Sequence, residues 1–135
     1  MGYKIDVIEG VGPSFAEKLS TAGIKTTDDL LQKCAVASGR KAVAQATGIG
    51  EPTILKWSNH ADLMRIKGVA GEYAELLEAS GVDTVKELRH RNAENVATKM
   101  AEVNAQKKLT RAVPGPLVVA KWIDQARQLD PLIQH

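Results

Sequence analysis

The sequence predicts an all-α protein of two tandem units, residues 1–63 and 64–135, each of four or five short helices and packed together. The first observation behind this is a repeat. "IEGVGPSFAEKLSTAGIKTTDDL", residues 8–30, returns 58 residues later, without a gap, as "IKGVAGEYAELLEASGVDTVKEL", residues 66–88, with nine of 23 positions identical. A match at a fixed offset marks a duplicated structural unit. The second observation is compositional: the chain is 44% hydrophobic but only 4% aromatic. Its core must therefore be built from Ala, Leu, Ile and Val, which favours helices over β-sandwiches. The third is the frequency of helix-start signals and the near absence of strand signals.

Taken in order, the elements follow from capping and periodicity. Ser14-x-x-Glu17, Thr26-x-x-Asp29 and Thr84-x-x-Glu87 fit capping boxes or close variants, each opening an apolar-periodic segment. Phe15, Leu19 and Ala22 fall at helical spacing, and Gly23 stands where a residue past a helix end must adopt positive φ. Tyr73, Leu77, Ser80 and Gly81 repeat the pattern. After each glycine a short turn leads into a new helix. Ser38 and Asn92 are the expected N-caps for "GRKAVAQA" and "AENVATKMAEV". Each copy then runs through a Gly-containing turn into a helix with a Lys-Trp pair, "GIGEPTILKWSNHADL" and "VPGPLVVAKWIDQARQL". Aligning Trp57 with Trp122 needs an offset of 65, so the second unit carries about seven extra residues, expected within 100–112. The boundary near 62–66 has no Gly/Ser/Pro linker, which predicts that the units form one rigid body.

Size and charge bound the function. At 135 residues each unit is near 60 residues, where independent stability is marginal. Net charge is +2: residues 1–64 carry seven basic and seven acidic residues, residues 65–135 eleven and nine. An anionic partner must be held by local geometry, not by a bulk field. No apolar run approaches the ~18 residues of a membrane span, and Asp6 stands where a myristoylation signal after Gly2 would need Ser or Thr. The single cysteine, Cys34, excludes an internal disulfide and suits a reducing compartment. A cytoplasmic location with no membrane association is expected.

Ile5, Ile8, Gly10, Val11, Gly12, Ala16 and Leu19 have the pattern of a helix-hairpin-helix motif: two apolar residues three apart, Gly-hydrophobic-Gly, then a small Ala and a further apolar residue. Leu63, Ile66, Gly68, Val69, Ala74 and Leu77 repeat it, with Ala70 in place of the second glycine. With "GIKTTDDLL", "LKWSNHADLMRIKGV" and "SGVDTVKEL", the chain resembles the bacterial family grouped as domain of unknown function 4332 over nearly its full length. That resemblance implies tandem helix-hairpin-helix (SAM-like) units; the family name supplies no function.

Such a hairpin suggests a chemistry. Glycines allow a tight turn, and the first N–H groups of the following helix are left pointing outward from a positive dipole end. A phosphate fits there, and because backbone is read instead of bases, binding would ignore sequence. The candidate contacts are Gly10, Val11, Gly12 and Ser14 in the first copy and Lys67, Gly68, Val69, Ala70 and Gly71 in the second. Lys107, Lys108 and Arg111 add a positive stretch in the second unit. Neither cradle is clean: Pro13 removes one donor, Glu9 flanks the first turn, and Glu72 opens the helix after the second. The expected partner is therefore a DNA or RNA backbone, bound non-enzymatically and without a cofactor. The rival class is a protein-interaction or self-association scaffold, in which the hairpins only pack helices, as in a lumenal photosystem subunit with tandem hairpins.

Catalysis finds little support. "GVDTV" is similar to the segment around the catalytic Asp of hairpin-bearing DNA glycosylases, but Asp83 falls in an inter-helix turn and its first-copy counterpart is Lys25. The position of a nucleophilic Lys in bifunctional glycosylases is Glu72 or Ser14. His60, His90 and His135 lack metal-ligand spacing, and no phosphate loop is present. His60 reads as a surface or capping residue, Cys34 as a small buried group, and Trp57 and Trp122 as core plugs more than stacking platforms.

Overall fold

The structure, a computed structural model, describes residues 2–135. After a 3-10 turn at Ile5–Val7 come eight α-helices: α1 (Pro13–Thr21), α2 (Thr27–Cys34), α3 (Ala37–Thr47), α4 (Glu51–Leu63), α5 (Gly71–Ala79), α6 (Val85–Leu88), α7 (Ala93–Lys107) and α8 (Pro116–Gln128). The fold is all-α, with four α-helices on each side of residue 64. The only β-type pairing among the described residues is an isolated bridge between Lys4 and Thr26.

Local chemistry explains most helix boundaries. Thr26 caps α2 through a full capping box, its Oγ1 accepting from the Asp29 N–H while Asp29 accepts from the Thr26 N–H. Thr84 makes only half of that arrangement at α6, because Glu87 is drawn into an ion pair with Arg91 at 2.6 Å. Asn92 caps α7 as expected. Two expected caps are corrected. Ser14 lies inside α1, because Gly12 is the N-cap and Pro13, with φ already helical and no N–H to satisfy, takes the first position. Ser38 lies inside α3, which starts at Ala37 after an uncapped Val36. Gly23 and Gly81 end α1 and α5 with φ of 82° and 93°. The extra length of the second unit falls in α7, 15 residues against 11 in α3, and in the connector 108–115, which replaces the short 48–50.

A single hydrophobic cluster runs through both halves, from Ile5 to Ile133. Helix α4 stands at its centre, packed on α2, α3 and α5, and its second half is buried on every side, from Trp57 to Leu63. That burial encloses polar groups, each handled differently. Ser58 donates to the Ile54 carbonyl at 2.7 Å. One Asp62 oxygen accepts from Arg65 at 2.7 and 2.9 Å, while the other accepts from the Val85 N–H at 2.8 Å and so caps α6. In the first copy the equivalent N–H, on Thr27, donates to the Tyr3 carbonyl. His60 is fully buried, which overturns its reading as a surface residue. Its Nε2 lies 3.2 Å from Glu78 on α5, yet neither ring nitrogen has an aligned hydrogen-bond partner.

The end of the chain returns to the first unit. Ile133 is buried, the Gln134 N–H donates to the Ala35 carbonyl at 2.7 Å, and the buried guanidinium of Arg40 donates to the carbonyls of Cys34, Ala35 and Gln134. Arg65 holds the Asp130 carbonyl at 2.7 Å. The tail is thus a strap from the last helix across the α2–α3 corner.

Candidate nucleic-acid interface

The two glycine turns are built alike. Val11 and Val69 are buried beneath them, each N–H donating to the carbonyl three residues back at 3.1 Å. Gly10 and Gly68 carry φ of 93° and 98°, a conformation that costs an L-residue strain. The second position of each turn is different: Gly12 has φ −85° and Ala70 φ −96°, backbone any residue adopts, which is why alanine replaces glycine in the second copy. A tryptophan closes each turn from below. Trp57 Nε1 would lie 3.5 Å from a Cβ on Gly10, and Trp122 Nε1 3.2 Å from one on Gly68. Both tryptophans are buried, as expected for core plugs, and each meets an aromatic ring from the helix that follows the turn: Phe15 of α1 at 5.2 Å and Tyr73 of α5 at 5.5 Å between centroids.

Their surroundings then diverge. At the first turn Gly10, Gly12, Pro13 and Ser14 are exposed. Ala16 is the first residue of α1 to donate back, to the Gly12 carbonyl at 2.9 Å, so the N–H groups of Ser14 and Phe15 have no acceptor among the described residues. No acidic residue occupies this first turn, and Lys18 Nζ stands 5.7 Å from the centre of the half-exposed Phe15 ring. Phe15 and Lys18 sit together beside these amides, a pair that sequence reasoning missed although their three-residue spacing on one helix could have revealed it.

At the second turn Lys67, Gly68 and Ala70 are exposed, but Gly71 is buried: a Cβ there would overlap the Val7 carbonyl oxygen, with Glu9 Cγ at 3.7 Å. Glu72 stands in the first turn of α5 and complements that dipole end. The Lys67 N–H is also taken, donating to Gln125 Oε1 at 2.9 Å. Ala74 is the first residue of α5 to donate back, so the Glu72 and Tyr73 N–H groups also lack an acceptor among the described residues. Of the two turns, the first is the one with no acidic residue beside its free donors.

Lys107, the last residue of α7, and Lys108 and Arg111 on the connector to α8 are all exposed. Lys108 closes α7 with φ 52°, and Asn104 clasps Thr110 through two hydrogen bonds of 2.9 and 3.0 Å. The Tyr73 hydroxyl donates to the Ala112 carbonyl at 3.1 Å, tying this connector to the first turn of α5 and so to the second glycine turn. Cys34 is fully buried, and burial pushes its thiol pKa above the usual range, which suits an inert core group. Among the described residues no group of three or more His, Cys, Asp or Glu could hold a metal, and no helix is long and apolar enough to cross a membrane.

What fold and site define is an all-helical protein with an internal duplication and a glycine turn whose helix-start amides have no acidic residue in the first turn. Over residues 9–129 the chain matches the family model described as Domain of unknown function (DUF4332), and it belongs to that family. No curated protein and no solved structure matches it.

Proposed function

We infer that this protein is a non-catalytic module of tandem helix-hairpin-helix units that binds the sugar-phosphate backbone of nucleic acid without reading sequence. One observation carries this reading: the Ser14 and Phe15 amides, exposed at a positive helix end with no partner and no acidic neighbour in the first turn. A phosphate oxygen supplies the missing acceptor, and Lys18 adds a cation on the same helix. Lys67, Lys107, Lys108 and Arg111 supply further positive charge from the second unit.

A scaffold role is the second reading, and the start of α5 favours it, since the second turn is spent on packing Gly71 against Val7. Polarisation titrations with duplex and single-stranded DNA at about 50 and 200 mM salt separate the two. Contacts to roughly 2–4 phosphates give a log–log salt slope of about −2 to −4. Lys18→Glu should weaken binding several-fold. Absence of binding, or binding that ignores salt, sinks the nucleic-acid reading and leaves the scaffold.

A further inference from the structure

We propose that the tip of the α7–α8 hairpin is an apolar wedge that enters the base stack of the bound nucleic acid. Its preferred partner is then one whose bases part easily: a single strand, or a duplex with a mismatch. This rests on the backbone-binding reading above.

The tip is where the two copies differ most. Under the tryptophan alignment, Pro52 and Thr53 at the start of α4 correspond to Leu117 and Val118 at the start of α8. Leu117 is 82% exposed and Val118 44%, the two most exposed large apolar side chains among the described residues. The longer connector before them belongs to the second copy alone. Residues 103–123 hold Lys107, Lys108, Arg111 and Lys121, all exposed, and no carboxylate. An apolar point within a segment that carries cations and no carboxylate complements a polyanion that also has apolar faces.

The point is rigid. Asn104 clasps Thr110, Tyr73 holds Ala112, Pro114 is buried and Pro116 opens α8. A wedge ordered before binding loses little conformational freedom on insertion. Two side chains suit the gap between adjacent bases, where Leu and Pro wedges part a step. The chemistry also separates nucleic acid from an anionic lipid surface. Val119 is the first residue of α8 to donate back, so the N–H groups of Leu117 and Val118 have no acceptor among the described residues. Sunk into hydrocarbon, those donors would stay unsatisfied; beside a base step, phosphate oxygens satisfy them.

The test uses the full chain and DNA carrying 2-aminopurine in a duplex, a mismatched duplex and a single strand. Binding should raise 2-aminopurine fluorescence by unstacking, with affinity for mismatched or single-stranded DNA about tenfold above that for the paired duplex, as a few kcal/mol of avoided unstacking allows. Leu117→Ala should abolish the fluorescence change and bring the preference within about threefold, while salt-dependent duplex binding persists; Leu117→Met should restore both. If duplex is bound with the expected salt slope but the fluorescence is silent and Leu117→Ala matches wild type, the wedge is overturned and the backbone reading stands. If no DNA is bound, both fall. Leu117-dependent binding to anionic phosphatidylserine vesicles, or a dimer lost in Leu117→Ala, without any 2-aminopurine response, also overturns the wedge in favour of a lipid surface or a second copy.

Discussion

At the residue scale, the glycine turns separate two requirements that sequence alone merges. In the Gly-Val-Gly of the first copy both glycines look equally necessary, yet only Gly10 has positive φ, and Gly12 has ordinary backbone with open space around its Cα. Gly10→Ala should therefore cost about 1–2 kcal/mol, the strain of a Cβ in the left-handed region, while Gly12→Ala should cost less than about 0.5 kcal/mol. Urea unfolding of the two variants measures this, and equal costs would contradict the turn geometry. Ala70, already at the second position in the other copy, is the same experiment done within the chain. Gly71 is a third case: its backbone is ordinary helix, but the Val7 carbonyl excludes a side chain, so Gly71→Ala should cost about 1–3 kcal/mol through overpacking.

At the element scale, the helix starts show what was legible in the sequence and what was not. Thr26, Thr84 and Asn92 were readable because a cap needs only a few adjacent residues, whereas Ser14 and Ser38 were misread because the chain entered the helix one or two residues earlier. Which glycine turn is spent on packing was not readable. It depends on Gly71 lying against the Val7 carbonyl, a contact between segments some 60 residues apart. The α2 cap carries a pH signature. Hydrogen bonds from the Lys25 and Thr26 N–H groups hold the Asp29 carboxyl below its ordinary value of 3.8. A lowered folded pKa means the charged cap contributes its stability in full above the unfolded value and loses it as pH falls below 3.8 through the folded pKa. Asp29→Asn should therefore flatten the acid limb of the stability curve in that window, measured by urea midpoints at stepped pH; an unchanged limb would show that the cap is not coupled to folding.

At the scale of the whole molecule, duplication in sequence has not produced two independent bodies. The repeat made a duplication legible, and one hydrophobic cluster runs through both halves, but the contacts that join them also draw on residues outside the repeated segments. Asp62, one residue before the end of α4, caps α6 across the boundary while holding Arg65; Asp62→Ala leaves the Val85 N–H and the Arg65 guanidinium without their acceptor and should cost about 3 kcal/mol or more. Farther along, the tail strap binds the second unit to the first. Removing residues 130–135 exposes the site of Ile133, about 1.5–3 kcal/mol of apolar burial. It also strips Arg40 of the Gln134 carbonyl and Arg65 of the Asp130 carbonyl, with charged hydrogen bonds contributing about 1.5–3 kcal/mol each. With the exposed Asp130 contact discounted, a loss of about 3–6 kcal/mol is large against the 5–15 kcal/mol that a typical domain has in total. If the strap joins the halves energetically, the truncated chain should still unfold in one transition, at a clearly lower urea midpoint, because the shared core around α4 remains. Two separated transitions, or a midpoint equal to that of the full chain, would mean that the halves are stabilised independently and that the strap only rests on the surface it covers.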